Sequence, residues 1–460
     1  MPFAGLPELL ALDSCRDGLR IPPDVTVPLT PRVRALVDLP LLRRLARISQ
    51  LGLVALVYPG ATHSRLEHSL GVYRLALEFL ARLRHDATFS AMIDEADAAA
   101  FVAAALLHDV GHWAYCHPLE DIGLPELPKH ESFVRGIVAA DPAADVLRRQ
   151  WGLDPGRVAT LIEGSATDPA GRLLHSLLSG PIDVDKMDYL ARDSLHAGVP
   201  YGRHFDQERL LASLCVDGSG TALAITEKGR TAAELMVFAR YVMFSEVYWH
   251  HAVRAATSML QRCVWSVRGA VEASRLTQFD DDAFADWLLG ATQGTPAAAL
   301  ASGLFGPERR LVKRVATFDA VHQPVIHRAL AGRSYAATAE IGTRLAERLS
   351  RHTGCRVDAH TLLIDAPPRE REVEFRLPVR ERPPAGHVGP SWRSLAELSP
   401  VVRSLAHEQF DHLVKRVRIF APADVAPALA ALPDLHAFLI DACQGCDAAP
   451  GNSSGSTARS

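Results

Sequence analysis

The stretch 106–117, LLHDVGHWAYCH, constrains this chain more than any other. An apolar, alanine-rich run, FVAAALL, leads straight into His108 and Asp109. Small side chains make a thin helix that neighbours pack against closely, and such a helix carries whatever ends it into the interior. An imidazole and a carboxylate side by side are poor core material, because a polar group buried without a partner is costly. Bound to a cation, both become ligands. His112 lies one helical turn beyond His108, on the same face by helical arithmetic, and His117 follows. A bare His-Asp dipeptide is also a common incidental pair, so the rest of the chain has to decide.

At 460 residues, 48% apolar and 22% charged, the sequence is that of an ordinary globular protein with room for more than one domain. A formal net charge of −4 argues against a surface devoted to nucleic acid. The seven cysteines are odd in number and dispersed, which fits a reducing cytoplasm rather than a disulfide framework. Cys443 and Cys446 form a lone CxxC that reads as incidental. The first residues carry no signal-peptide pattern, and no apolar run reaches the roughly eighteen residues that would span a bilayer. A cytoplasmic address is expected.

Along the chain, residues 32–52 read as two short helices, the second opened by Pro40, with Leu41, Leu45 and Ile48 as its apolar face. Ser64 and Glu67 have capping-box spacing ahead of a long amphipathic helix that starts near Arg65 and His68. Lys129, His130 and Glu131 open another helix. After Pro181, Asp185, Tyr189 and Asp193 stack four apart on one helix face, as a site wall or as a solvated stripe. A long helical region is expected over 231–274, with Arg240, Phe244, Tyr248 and His251 along one side. Residues 308–350 still read as helical. Beyond them HTLLIDAPP, VEFRLPV and KRVRIFAP read as strands, RERPPAGHVGPSW as a loop, and the last residues as disordered. The expected fold is mainly α: a helical bundle with a smaller C-terminal α+β region. Its parts are an N-terminal segment (1–32), a core (33–275), a helical extension (276–350), a small α+β region (351–440) and a tail (441–460).

His68, His108, Asp109 and Asp185 together offer two imidazoles and two carboxylates. Mixed N/O ligation suits Mn²⁺, Fe²⁺, Co²⁺, Ni²⁺ or Mg²⁺ in roughly octahedral geometry better than a closed structural zinc. Such an ion polarises a phosphoryl group and acidifies water. His112, His117 and His130 would supply protons or hold anionic oxygens near neutral pH, and Lys186 and Arg240 would neutralise a polyphosphate.

The ordered series H…HD…D resembles the HD-domain metal-dependent phosphohydrolases. The longer motifs QLG…VYPGATHSRLEHSLGVYRLA, LLHDVGHWAYCHPLE, KHE and IDVDKMDYLARDSLHAGV resemble the deoxynucleoside triphosphate (dNTP) triphosphohydrolase branch, over about 33–275 and more loosely to about 432. The resemblance implies metal ligation by His68, His108, Asp109 and Asp185. It implies a catalytic His117 with Glu120 and His130 as relay partners, and His112, Arg65 and Lys186 on phosphate. Gln50 and Leu51 would meet the deoxyribose, Tyr189 and Asp193 the sugar and its 3′-hydroxyl, and Arg240 and Tyr248 further phosphate and sugar atoms. Glu120 replaces an aspartate, and Phe244 a histidine, of the vertebrate members. The implied reaction is water attack on the α-phosphorus of a dNTP, giving deoxynucleoside and tripolyphosphate. Homo-oligomers, a dimer or tetramer, are usual in the family, and the resemblance leaves a second, allosteric nucleotide open. The rival readings are an HD phosphohydrolase acting on another nucleotide or phosphoester, and a catalytically silent nucleotide sensor or nucleic-acid binder.

Overall fold

A computed structural model describes residue 3 and residues 5–14, 18–354, 356–367, 376–383, 389 and 391–444. Helices dominate it. The two short helices expected near the start are α1 (Pro31–Val37), capped by Thr30, and α2 (Pro40–Leu45), each with proline in its first turn. The second buries Leu42 and Leu45 in the core, with Leu41 partly buried against it. Helix α3 (Arg65–Leu83) starts at Ser64, whose hydroxyl accepts from the Glu67 amide. The reciprocal half of the expected capping box is spent elsewhere: the Glu67 carboxylate accepts from Arg192 and pairs with His196.

The alanine-rich helix is α4 (Glu95–Leu107). Residues 98–107 are all buried, and the small side chains let α3 pack directly against it. It is followed by a one-turn helix, α5 (Cys116–Glu120), by α6 (Glu131–Ala139) and by α7 (Val184–His196), which Asp183 caps. The long helical region expected over 231–274 is broken. Helix α8 (Arg230–Met243) runs into a wide π-type turn over 244–248, and α9 (His251–Ser266) begins after Trp249 and His250. The break turns His251 outward to an exposed position, while Phe244 and Tyr248 face inward.

The strands are β1 (Gly18–Ile21), β2 (Val25–Pro28), β3 (Leu214–Val216), β4 (Leu223–Thr226), β5 (Lys313–Phe318), β6 (Leu363–Asp365), β7 (Pro378–Glu381), β8 (Ser391–Ser394) and β9 (Val417–Ala421). They form a hairpin, a four-stranded sheet in the order β3-β4-β7-β8, and a three-stranded sheet in the order β5-β9-β6. The helical reading of 308–350 misses β5, which pairs antiparallel with β9 and so ties that segment to the C-terminal region. Lys313–Phe318 carries no helical period, and only its distant partner makes it a strand. In the same way β4 pairs in parallel with β7, Ile225 opposite Val379, and joins the helical core to the later chain. The VEFRLPV strand survives as its end, in β7; its first residues, residues 384–388 and 390 of the RERPPAGHVGPSW loop, Cys446 and the tail from 445 lie outside the described residues, and the ends of that loop are strand, Arg380 and Glu381 in β7 and Ser391 and Trp392 in β8. Among those described, Cys116, Cys215, Cys263 and Cys443 are free thiols, and no helix is long and apolar enough to cross a membrane.

Candidate metal centre and adjoining cavity

Helix α4 ends at Leu107, so His108 and Asp109 leave it in a tight turn, with Val110 N donating to Leu107 O and His112 N to Asp109 O. Two residues hold this turn, Arg44, which lies outside the quoted motifs, and Gly111, which lies within one. Arg44 donates to the His112 and Val110 carbonyls at 2.7 and 2.8 Å. Gly111 lies against the His130 backbone, where an added Cβ would sit 2.2 Å from the carbonyl oxygen. Gly111→Ala is expected to push the His130 segment away, costing about 1–3 kcal/mol of stability as overpacking does; urea denaturation of the two proteins checks this.

His108 Nδ1 donates to the Ala105 carbonyl at 2.9 Å. A carbonyl only accepts, so neutral His108 presents the lone pair of Nε2. His68 holds Nδ1 2.8 Å from Asp188 Oδ2 and turns its own Nε2 the same way. The two Nε2 atoms lie 3.2 Å apart. Asp185 Oδ1 is 3.0 Å from His68 Nε2 and 3.8 Å from His108 Nε2, and Asp109 Oδ1 is 3.3 Å from His108 Nε2. His68, His108 and Asp109 bring one ligand atom each within 4.8 Å of one another, and Asp185 stands beside the two imidazoles. Converging lone pairs and carboxylate oxygens repel unless something positive stands between them, so the donor set fits a divalent cation. The titration of the groups agrees. Burial alone would lower the His68 pKa, but its bonds to Asp185 and Asp188 outweigh that and raise it to about 10. Burial would raise both aspartates, yet His112, His108 and Arg65 hold Asp109 well below the carboxylate range, and His68 holds Asp185 at about 2. Carboxylates that draw a proton this strongly to an imidazole draw a metal ion as well.

A second group stands beside the first. His112 Nδ1 is 3.1 Å from Asp109 Oδ1, and its Nε2 faces His117 Nε2 at 3.3 Å. Glu120 Oε1 accepts from the His130 amide at 2.7 Å and lies 3.0 Å from its Nδ1, while Oε2 is 3.6 Å from His117 Nδ1. Although partly buried, Glu120 stays ionised far below its usual pKa because both imidazoles bond it. Burial and then Arg65 keep His112 neutral. His117 is the open member, its side chain 59% exposed.

His117 and Glu120 face a cavity of about 490 Å³ that Gln50, Leu51, Arg65, Tyr189, Asp193 and Tyr248 also line. The chain entering α3 shapes its wall: Gln50 N donates to His63 O and Arg65 N to Ile48 O, each at 2.9 Å. Gln50 Oε1 is buried without a hydrogen-bond partner in the protein. Tyr248 donates to Asp193 Oδ2 at 2.6 Å. Arg65 reaches back from the cavity to Asp109 at 3.0 Å and so links cavity to cluster. Lys186 is bound to Asp183 at 2.7 Å, Arg240 lies over the Phe244 ring at 5.5 Å, and neither is among the cavity-lining residues.

Sequence reasoning missed the support behind these groups. Arg192 grips Asp188 with two bonds, 2.8 and 2.7 Å, and reaches Glu67 at 2.8 Å. His196 pairs with Glu67 at 2.9 Å and stacks on His63, which bonds Asp193 at 2.9 Å. One polar chain, partly buried at Glu67 and His196, thus runs from His68 of the His/Asp cluster to cavity residue Asp193. The Asp188–Arg192 spacing of four on α7 was the readable signal. On the far wall Trp249, which lies beneath the Arg254 guanidinium, and Arg254 itself line the cavity, and Asp365 of β6 binds Arg254 at 3.1 and 2.6 Å, so the C-terminal sheet braces that side.

Comparison with known proteins agrees with this geometry. The HD domain pattern matches residues 65–193, which hold the whole predicted ligand set, and the HD-associated region matches 205–432. An uncharacterised protein of Bacillus subtilis, YwfO, is 36% identical over 222 residues, 48% of each chain. The deoxynucleoside triphosphate triphosphohydrolase SAMHD1 of Homo sapiens is 28% identical over 265 residues, 51% of this chain and 42% of that one. The chain thus spans about half the length of the curated relatives it matches. A hypothetical protein from Aquifex aeolicus shares the fold, with a TM-score of 0.68 at 23% identity, over 90% of this chain and 99% of that one. A phosphohydrolase from Bacteroides thetaiotaomicron does so at 0.64 and 22%, over 88% and 100%. With its ligand residues inside the matched region, the chain is an HD-domain protein that carries an HD-associated region.

Proposed function

We propose that this protein is a metal-dependent phosphohydrolase that cleaves dNTPs to deoxynucleoside and tripolyphosphate. One observation carries the reading: the His68–His108–Asp109 cluster with Asp185 beside it, the His117–Glu120–His130 group and a nucleotide-sized cavity adjoin one another, joined by Arg65 and His112. A divalent ion held by His68, His108, Asp109 and Asp185 supplies Lewis acidity toward a phosphoryl oxygen and makes water more acidic. Arg65, fixed by Asp109, places positive charge at the cavity wall where phosphate charge develops. His117 is the proton donor. As water oxygen bonds to the α-phosphorus and the bond to the 5′-oxygen breaks, its proton passes to that oxygen, and Glu120 stabilises the imidazolium beforehand. On the sugar side Asp193, held by His63 and Tyr248, accepts from the 3′-hydroxyl, and the unpartnered Gln50 oxygen accepts from the same end of the nucleoside. Lys186 and Arg240, which do not line the cavity, add positive charge from behind its wall and do not touch the phosphates, with a homo-oligomer as the working form.

Incubation with each dNTP and Mn²⁺ or Mg²⁺, followed by product separation, tests this. Deoxynucleoside with tripolyphosphate is expected. Diphosphate or single phosphate would move the attack to another phosphorus, and binding without turnover would favour a sensor. Asp193→Ala is expected to raise KM about 10- to 100-fold, from the roughly 1.5–3 kcal/mol of a hydrogen bond to a charged group, and to reduce discrimination against 2′,3′-dideoxy substrates.

A further inference from the structure

We propose that His112, Cys116, His117 and His130 form a second metal site, selective for Zn²⁺, whose occupation withdraws the catalytic histidine. One ligand atom from each residue can be chosen so that all four lie within 4.8 Å of one another. The set is three imidazoles and one thiol, the N/S chemistry of tetrahedral zinc, unlike the N/O set of the neighbouring cluster. The spacing fits as well. His112 Nε2 and His117 Nε2 are 3.3 Å apart, and a tetrahedral ion with Zn–N bonds of about 2.0–2.1 Å holds its nitrogens about 3.4 Å apart.

The imidazoles are already oriented for it. Each turns Nδ1 toward a carboxylate: His112 toward Asp109 at 3.1 Å, His130 toward Glu120 at 3.0 Å, and His117 toward Glu120 at 3.6 Å. His130 thus makes the carboxylate–histidine hydrogen bond that accompanies bound zinc, His112 Nδ1 is buried with no hydrogen-bond partner, and the facing Nε2 atoms of His112 and His117 are left for the ion. Cys116 heads α5, one residue before His117, and is buried. A thiol ligates zinc as the thiolate, so one proton passes to solvent for each Zn²⁺ bound. Three ligands are buried, while His117 is exposed and lines the cavity, so the ion has an entry path.

The consequence for turnover rests on the function proposed above. An ion on His117 Nε2 blocks the nitrogen that donates the proton, so zinc would inhibit, reversibly to chelators, while Mn²⁺ or Mg²⁺ at the oxygen-rich cluster supports activity.

Cobalt(II) serves as the spectroscopic probe. Wild-type protein titrated with Co²⁺ is expected to develop a thiolate-to-metal charge-transfer band in the near ultraviolet and intense visible bands of tetrahedral cobalt, both displaced by Zn²⁺. Cys116→Ser should lose the charge-transfer band and bind zinc at least about tenfold more weakly in competition with a chromophoric chelator, on the scale that ligand changes produce. Cys116→Ala serves as the second variant, with near-ultraviolet circular dichroism reporting folding. Zinc sensitivity is read for each protein against its own zinc-free rate and should fall in both variants. No charge-transfer band in the wild type, or an equal band in a folded Cys116 variant, overturns the site. A band without any Mn²⁺-dependent turnover overturns the proposed function and leaves the zinc site standing; turnover without the band does the reverse.

Discussion

Asp109→Asn is expected to abolish Mn²⁺ binding at the cluster and to lower turnover by at least about 10³-fold. A metal polarising a phosphoryl oxygen contributes several kcal/mol, and each 1.36 kcal/mol is about tenfold in rate. The change removes more than one ligand charge. Asp109 also accepts from Arg65 at 3.0 Å and stands 3.1 Å from His112 Nδ1, so it joins the cation, the cavity wall and the histidine group. Isothermal titration with Mn²⁺, alongside product analysis, separates the two effects. Full Mn²⁺ affinity with lost turnover would assign Asp109 to positioning Arg65 and His112 instead of holding metal.

The largest expected loss of stability is in Arg192→Ala, about 3–5 kcal/mol, the cost of leaving a buried charge without its partner. Arg192 is 6% exposed and bonds both Asp188 and Glu67. The space is filled as well: a Cβ on Gly71 would come within 1.9 Å of Asp188 Oδ1 and 2.3 Å of Arg192 Nη2. Burial would raise the Asp188 pKa, but Arg192 outweighs it and holds the group below its ordinary value. A carboxyl depressed in the folded state stabilises above its unfolded pKa of about 3.9, and that stability is lost as pH falls below it. The gap between wild type and Arg192→Ala should therefore narrow on acidification through this range. Chemical denaturation at neutral pH and at about pH 2–3, below the unfolded pKa, measures it; a gap that holds or widens in acid would show that the charge pair is not its origin. Because Asp188 orients His68, the surviving folded fraction should also bind Mn²⁺ more weakly, by about 10- to 100-fold.

Much of the site was legible because it depends on local order. The alanine run of α4 needs no partner to be read as a thin buried helix, and the residues at its end go where it goes. Asp185, Tyr189 and Asp193 share a face by helical period, and one face is what the metal cluster and the cavity wall require. Proline at the starts of α1 and α2 and the Ser64 cap are local signals, and they hold. The errors arose where a residue's neighbour lies far along the chain. Glu67 has the right spacing for a capping box, but Arg192 and His196 offer it stronger, charged partners. The 308–350 stretch contains a strand because β9, about a hundred residues on, supplies the hydrogen bonds.

The sequence by itself determined which residues can ligate a metal and which helices deliver them, since ligand chemistry belongs to residue type and helical phase to spacing. Only the tertiary structure decided which nitrogen of each histidine faces the cluster. That choice is made by the group on the opposite side of the ring: Asp188 behind His68, the Ala105 carbonyl behind His108 and Glu120 behind His130. Two of those partners come from other helices or turns, and no pattern within one segment specifies a hydrogen bond that forms only when separate segments pack.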